Sequence, residues 1–83
     1  METVNINLVF FGSLKGFFGN HSDISVPRGT NLGILLKMLK DKVPDAIEIL
    51  NSCRVAVNSE FKTSDFTIVQ PGEIAILPPF SGG

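Results

Sequence analysis

The residues best suited to chemistry close the sequence, where Pro78-Pro79-Phe80-Ser81-Gly82-Gly83 follows a short apolar run. Two prolines remove two backbone donors and favour an extended course, so this stretch reads as a stiff stalk leaving the folded body. Gly82 and Gly83 make a slender tip, and residues 81–83 span about 10 Å when extended, enough to enter a pocket closed to a globule. A terminal carboxylate is inert as it stands, but an acyl-adenylate is an electrophile, and on glycine no side chain shields its carbonyl. Displacement of AMP by sulfide equivalents leaves a thiocarboxylate, whose anionic sulfur is a nucleophile at neutral pH by the logic that makes thiolates reactive. The plainer reading is a frayed end. At ~7% glycine usage a Gly-Gly terminus arises by chance in about 0.5% of chains, which makes chance the weaker explanation.

Other chemistry-bearing residues are sparse. Gly12, Gly16 and Gly19 follow a predicted strand but fit neither G-x-G-x-x-G nor G-x-x-x-x-G-K-[ST] and open no clear helix, so they read as a flexible turn, with any ATP bound by a partner. His21 and Cys53 are the only histidine and cysteine and lie far apart in sequence, so no metal ligand set is expected. His21 reads as a surface or strand-edge residue, and Cys53 as a core thiol before it reads as a persulfide carrier. A lone cysteine forms no internal disulfide, and no basic stretch followed by an apolar run marks a signal peptide, which points to a reducing cytoplasm and leaves the sequon Asn20-His21-Ser22 without consequence. Seven Lys and Arg against eight Asp and Glu give a net charge of −1. Lys37, Lys40 and Lys42, interrupted by Asp41, read as a solvated helix face, so no nucleic acid is expected as a partner. No apolar run is long enough to suggest a membrane span.

The elements that must position the tail fit one domain. With 83 residues, 43% hydrophobic and 18% charged, the chain is long enough for a single core and too short for a deep cleft. Val4, Ile6, Leu8 and Phe10 alternate with Asn5, Asn7, Val9 and Phe11, predicting a strand over residues 3–11 whose second face is polar first and apolar later. A second strand over residues 21–26, stopped by Pro27-Arg28-Gly29, completes a hairpin. Thr30 is the expected N-cap of an amphipathic helix carrying Leu32, Leu35, Leu36, Leu39 and Val43; Pro44 ends it near Lys42, with at most a short helix over residues 45–50. A strand over residues 54–58, a tight turn at Asn58-Ser59 and a short return over residues 60–63 follow. Pro71-Gly72 makes a turn into a final strand over residues 73–77, which lacks alternation and therefore belongs in the centre of the sheet. Of the phenylalanines, Phe10, Phe17, Phe61 and Phe66 read as core or loop anchors. Phe11 and Phe18 each neighbour another phenylalanine, and in a strand the two would face opposite sides, so an exposed apolar patch that includes one of them would mark a docking surface.

Leu8-Val9-Phe10-Phe11, Val57-Asn58, Pro71-Gly72-Glu73 and the closing Pro78-Pro79-Phe80-Ser81-Gly82-Gly83 together resemble the MoaD-type small subunits of molybdopterin synthase, within the MoaD/ThiS sulfur-carrier family. The resemblance spans nearly the whole chain, and its most specific part is the apolar strand running into Pro-Pro-x-x-Gly-Gly. It implies an α+β, ubiquitin-like β-grasp fold, a mixed sheet of four to five strands on one main helix, with a globular body over residues 1–77 and an extended tail over 78–83. It also implies that an E1-like, ATP-using enzyme adenylates Gly83, that sulfur transfer makes the thiocarboxylate, and that the tail, Gly82 included, enters a large MoaE-type subunit where a pterin precursor accepts sulfur. By the same resemblance, docking falls to Phe11, Leu77 and Phe80 with Lys15 as a basic contact, beside Pro78, Pro79 and Ser81 of the stalk. The chain itself binds no cofactor on this reading. Leu77 and Phe80 depart from the aromatic and small aliphatic residues common there. Conjugation of Gly83 to a target lysine, and sulfur donation to thiamine or tungsten cofactor synthesis, stand as alternatives.

Overall fold

The computed structural model describes residues 2–79 of the chain. Strand β1 (Thr3–Phe10) alternates as expected, with Val4, Ile6, Leu8 and Phe10 buried and Thr3, Asn5 and Asn7 exposed. It pairs antiparallel with β2 (His21–Pro27) from Thr3↔Pro27 to Val9↔His21. Between them lies a correction. The glycine-rich connection is no loose turn: a 3₁₀ turn (Gly12–Leu14) leads into a single turn of helix, α1 (Lys15–Phe18). Leu14 is fully buried, and the Phe18 ring stacks on Phe10 at 4.7 Å and 11°. Burying such side chains contributes about 1.5–3 kcal/mol each, enough to order a segment whose backbone signals are all glycine. Phe18 therefore packs on the core and does not mark an exposed patch.

Helix α2 (Leu32–Lys42) lays Leu32, Leu35 and Leu39 onto the sheet. Its N-cap is Asn31, one residue later than expected: the Asn31 side chain accepts from the Ile34 amide at 2.8 Å. Thr30 is buried, and its hydroxyl donates to the Pro27 carbonyl at 2.6 Å. The helix stops at Lys42 because Val43, ahead of Pro44, is held out of helical geometry at φ −132°, ψ 83°. A 3₁₀ turn (Pro44–Ala46) and α3 (Ile47–Asn51) then return the chain to the sheet.

Strands β3 (Arg54–Val57) and β4 (Glu60–Lys62) form a hairpin through Asn58 and Ser59, both at positive φ (49° and 75°), as a two-residue turn matched to strand twist requires. Residues 63–71 make no strand, but the segment is tied to the start of α2: Leu32 and Gly33 amides donate to the Phe66 and Ser64 carbonyls, and Ile68 is buried beneath it. Strand β5 (Gly72–Leu77) lies in the centre, parallel to β1 and antiparallel to β3, giving the order β2-β1-β5-β3-β4. One mixed five-stranded sheet with its main helix on one face is the ubiquitin-like β-grasp arrangement.

Candidate functional site

Because side chains alternate along a strand, burial of Phe10 and Ile76 under α2 sends their neighbours Phe11 and Leu77 to the opposite, open face of the sheet. Phe11 keeps extended geometry (φ −126°, ψ 158°), and its amide donates to the Ile76 carbonyl at 3.2 Å, which holds it at the end of β5. It is 42% exposed, while Leu77 and Pro78 are half-buried and Pro79 is exposed. The stalk is braced where it leaves the sheet. Gly12 sits at φ +58°, and a Cβ there would lie 2.8 Å from Cγ of Pro78, so the two residues fit only because Gly12 has no side chain. Lys15, exposed, opens the helical turn that follows at this same end of the molecule. Phe11, Leu77, Pro78 and Pro79 are thus brought together at the root of the tail. Phe80, Ser81, Gly82 and Gly83 lie outside the described residues.

The open face carries more than those residues. One rank runs straight across all five strands as His21, Val9, Ala75, Ala56 and Phe61, and the next, toward the tail, pairs Leu77 with Arg54. Farther from the tail the rank is polar, with Asp23, Asn7 and Glu73. The apolar part of the face therefore sits beside the stalk. Phe61, expected as a core or loop anchor, is instead 57% exposed on this face, with the Arg54 guanidinium 4.4 Å above its ring. A signal for it was present: a two-residue turn at Asn58-Ser59 sets Ala56 opposite Phe61, and with Val55 and Val57 turned inward, Phe61 must face outward.

The remaining candidates separate from this surface. His21 is exposed on the edge strand β2. The Cys53 thiol is half-buried and donates to the Leu50 carbonyl at 3.1 Å. Burial pushes it above the ordinary thiol value, with the backbone hydrogen bond and Lys40 pulling the other way to a smaller extent. At neutral pH it stays a thiol, which fits packing rather than sulfur chemistry. Among the described residues, no three His, Cys, Asp or Glu side chains gather as a metal site, and no helix is long and apolar enough to cross a membrane.

Known proteins place this geometry. The profile of the ThiS family matches residues 8–83. A molybdopterin synthase sulfur carrier subunit from Aedes aegypti is 29% identical, the match covering 99% of this chain and 92% of that protein. The protein of that name from Homo sapiens is 30% identical over 94% and 93%. Among solved structures, a protein described as molybdopterin converting factor subunit 1 from Pyrococcus furiosus superposes with a TM-score of 0.80 at 17% identity, covering 93% of this chain and 99% of that one. A chain of the complex of subunits 1 and 2 of the molybdopterin-converting factor from Helicobacter pylori does so at 0.63 and 21%, covering 96% and 100%. The small archaeal modifier protein 1 of Haloferax volcanii gives 0.78 at 17%, covering 93% and 99%.

Proposed function

This chain belongs to the ThiS family, and from that premise we propose that it is the sulfur-carrying small subunit of a molybdopterin synthase, working in the cytoplasm through the carboxylate of Gly83. An ATP-using enzyme of the E1 type adenylates that carboxylate, its oxygen attacking the α-phosphate as pyrophosphate leaves. Sulfide equivalents then attack the carbonyl carbon, AMP departs with the bonding pair, and a thiocarboxylate remains. The tail next enters a large MoaE-type subunit, where a pterin precursor takes the sulfur. The body contributes docking, with Phe11, Leu77 and Phe61 as apolar contacts and Lys15 and Arg54 as basic ones; Phe80 of the tail adds a further apolar contact, and Pro78, Pro79 and Ser81 carry Gly82 and Gly83 beyond the body. No cofactor is needed on the chain itself.

The observation that carries this reading is the apolar half of the open face, gathered at the root of a Pro-Pro stalk in a chain like the sulfur carriers over almost its full length. Intact-mass measurement after incubation with the activating enzyme, ATP and a sulfur source tests it. One oxygen replaced by sulfur on the last residue is the expected result, and an unchanged mass counts against it. The likeness to a small archaeal modifier favours one second reading, isopeptide conjugation of Gly83 to lysine. Higher-mass adducts in cell extract that vanish on deletion of Gly83 would support it.

A further inference from the structure

A groove of about 620 Å³ runs between α2 and the β3–β4 hairpin, within the about 300–1,000 Å³ usual for ligand clefts. Lys40, Arg54 and Lys62 line it, and no acidic residue does, in a chain whose Asp and Glu outnumber its Lys and Arg by eight to seven. Three of the seven basic residues thus border one groove. Each of the three rests on a different support. Arg54 rests on the Phe61 ring, the Lys62 ammonium lies 5.3 Å from the centre of the Phe66 ring, and Lys40 stands on the helix wall. Compact phosphate calls for donors aimed at one spot, whereas cations on separate supports match carboxylates spaced along a chain. Lys62 is paired with Glu60 at 3.1 Å, but that carboxylate is well exposed, and such a pair is worth only about 0–1 kcal/mol, leaving the ammonium free to change partners. Leu36 and Phe61 add apolar wall, and Phe61 with Arg54 also belongs to the open face, so the groove continues from the docking surface around the β4 edge.

We propose that this groove receives an extended, acidic segment of the protein that takes the tail, namely the large synthase subunit; the identity of that partner rests on the function proposed above. The chain's own end is a poorer occupant, since Pro78 leans on Gly12 on the β1 side of β5 and the groove lies on the β3 side.

Calorimetric titration with the large subunit tests the proposal. Lys40→Glu/Lys62→Glu should bind roughly tenfold more weakly than the unaltered chain at about 0.05 M salt, and the gap should shrink to under about threefold at 0.5 M, where screening is strong. Lys37→Glu/Lys42→Glu changes net charge equally at exposed positions of α2 outside the groove, and should cost less than about twofold. Equal loss in both variants, or none in the first, overturns the proposal while leaving sulfur transfer intact. Absence of binding by the unaltered chain instead sinks the assignment of the partner. A capped hexapeptide of alternating glutamate and leucine probes the groove without that subunit: amide resonances of Lys40, Cys53 and Lys62 should shift, and not in Lys40→Glu/Lys62→Glu. No shift, or an equal shift with inorganic phosphate at matched ionic strength, overturns the acidic-segment proposal. So does movement of the Phe80 to Gly83 resonances between that variant and the unaltered chain with nothing added, which would mark the chain's own tail as occupant.

Discussion

Gly12 is where backbone conformation and packing make the same demand. Its φ of +58° disfavours any L side chain, and Pro78 occupies the place of a Cβ with a ring that cannot swing aside. Gly12→Ala should therefore destabilise the fold by about 1–3 kcal/mol in urea titration, and it should displace the Pro78 and Pro79 resonances more than those of β2. Cys53 supports a second prediction at this scale. Because burial raises its thiol above the ordinary value, alkylation by iodoacetamide at mildly alkaline pH should run slower than that of a free cysteine, and unfolding in urea should remove the difference. The sign for stability follows: the neutral thiol is the folded form, so its contribution is full below the ordinary thiol value and is lost as pH rises through the higher folded value. The importance of Gly12 was not legible in the sequence, since glycine reports freedom and says nothing of a distant proline. The partial burial of Cys53 was legible from residue type alone.

Among the elements, the β3–β4 turn holds Ser59 at φ 75°, a conformation glycine accepts at no steric cost. Ser59→Gly should stabilise the protein by about 0.5–1 kcal/mol, read as a shift of the urea midpoint at constant slope. At the start of α2, Asn31→Ala should cost about 1 kcal/mol through loss of the bond to the Ile34 amide. Thr30→Ala should act differently, by removing the buried hydroxyl's bond to the Pro27 carbonyl, which keeps the Thr30 amide as a donor. The reading of Thr30 as the cap failed because Thr30 and Asn31 are both good caps, and which one caps depends on where residues 63–71 fasten the backbone, by the Asn31↔Thr67 bridge and the Ile68 amide donating to the Thr30 carbonyl. That fastening is tertiary and leaves no local pattern. Strand β5 was legible for the opposite reason. Its lack of alternation rightly placed it between two strands, but not with both faces buried: Ile74 and Ile76 lie under the helix while Ala75 and Leu77 belong to the open face.

At the scale of the whole molecule, the sheet is polarised along its strands: apolar residues and the stalk at one end, Asp23, Asn7 and Glu73 toward the other. If the apolar end is the docking surface, Phe61→Asp should weaken association with the large subunit by at least about 2 kcal/mol, the scale of an interface anchor, while leaving the folded state's melting temperature within a few degrees. Asn7→Asp, on the polar part of the same face, should change neither the association nor the melting temperature appreciably. The order of strands and main helix could be read ahead of the structure from periodicity and turn signals, and the β-grasp fold from the resemblance to the sulfur carriers, whereas the breadth of the surface, with Phe61 and Arg54 in it, required the strand register.

The pairing of β1 with β5 joins residues 6–10 to residues made 66 positions later. During synthesis, the middle seat of the sheet stays vacant until residues 72–77 emerge from the ribosome, and until then Leu8 and Phe10 on one side and Val55 on the other have no neighbour to close against. Closure of the sheet is thereby deferred until residues 72–77 have been made, so Pro78 and Pro79 leave a core that is complete only once β5 has taken its seat.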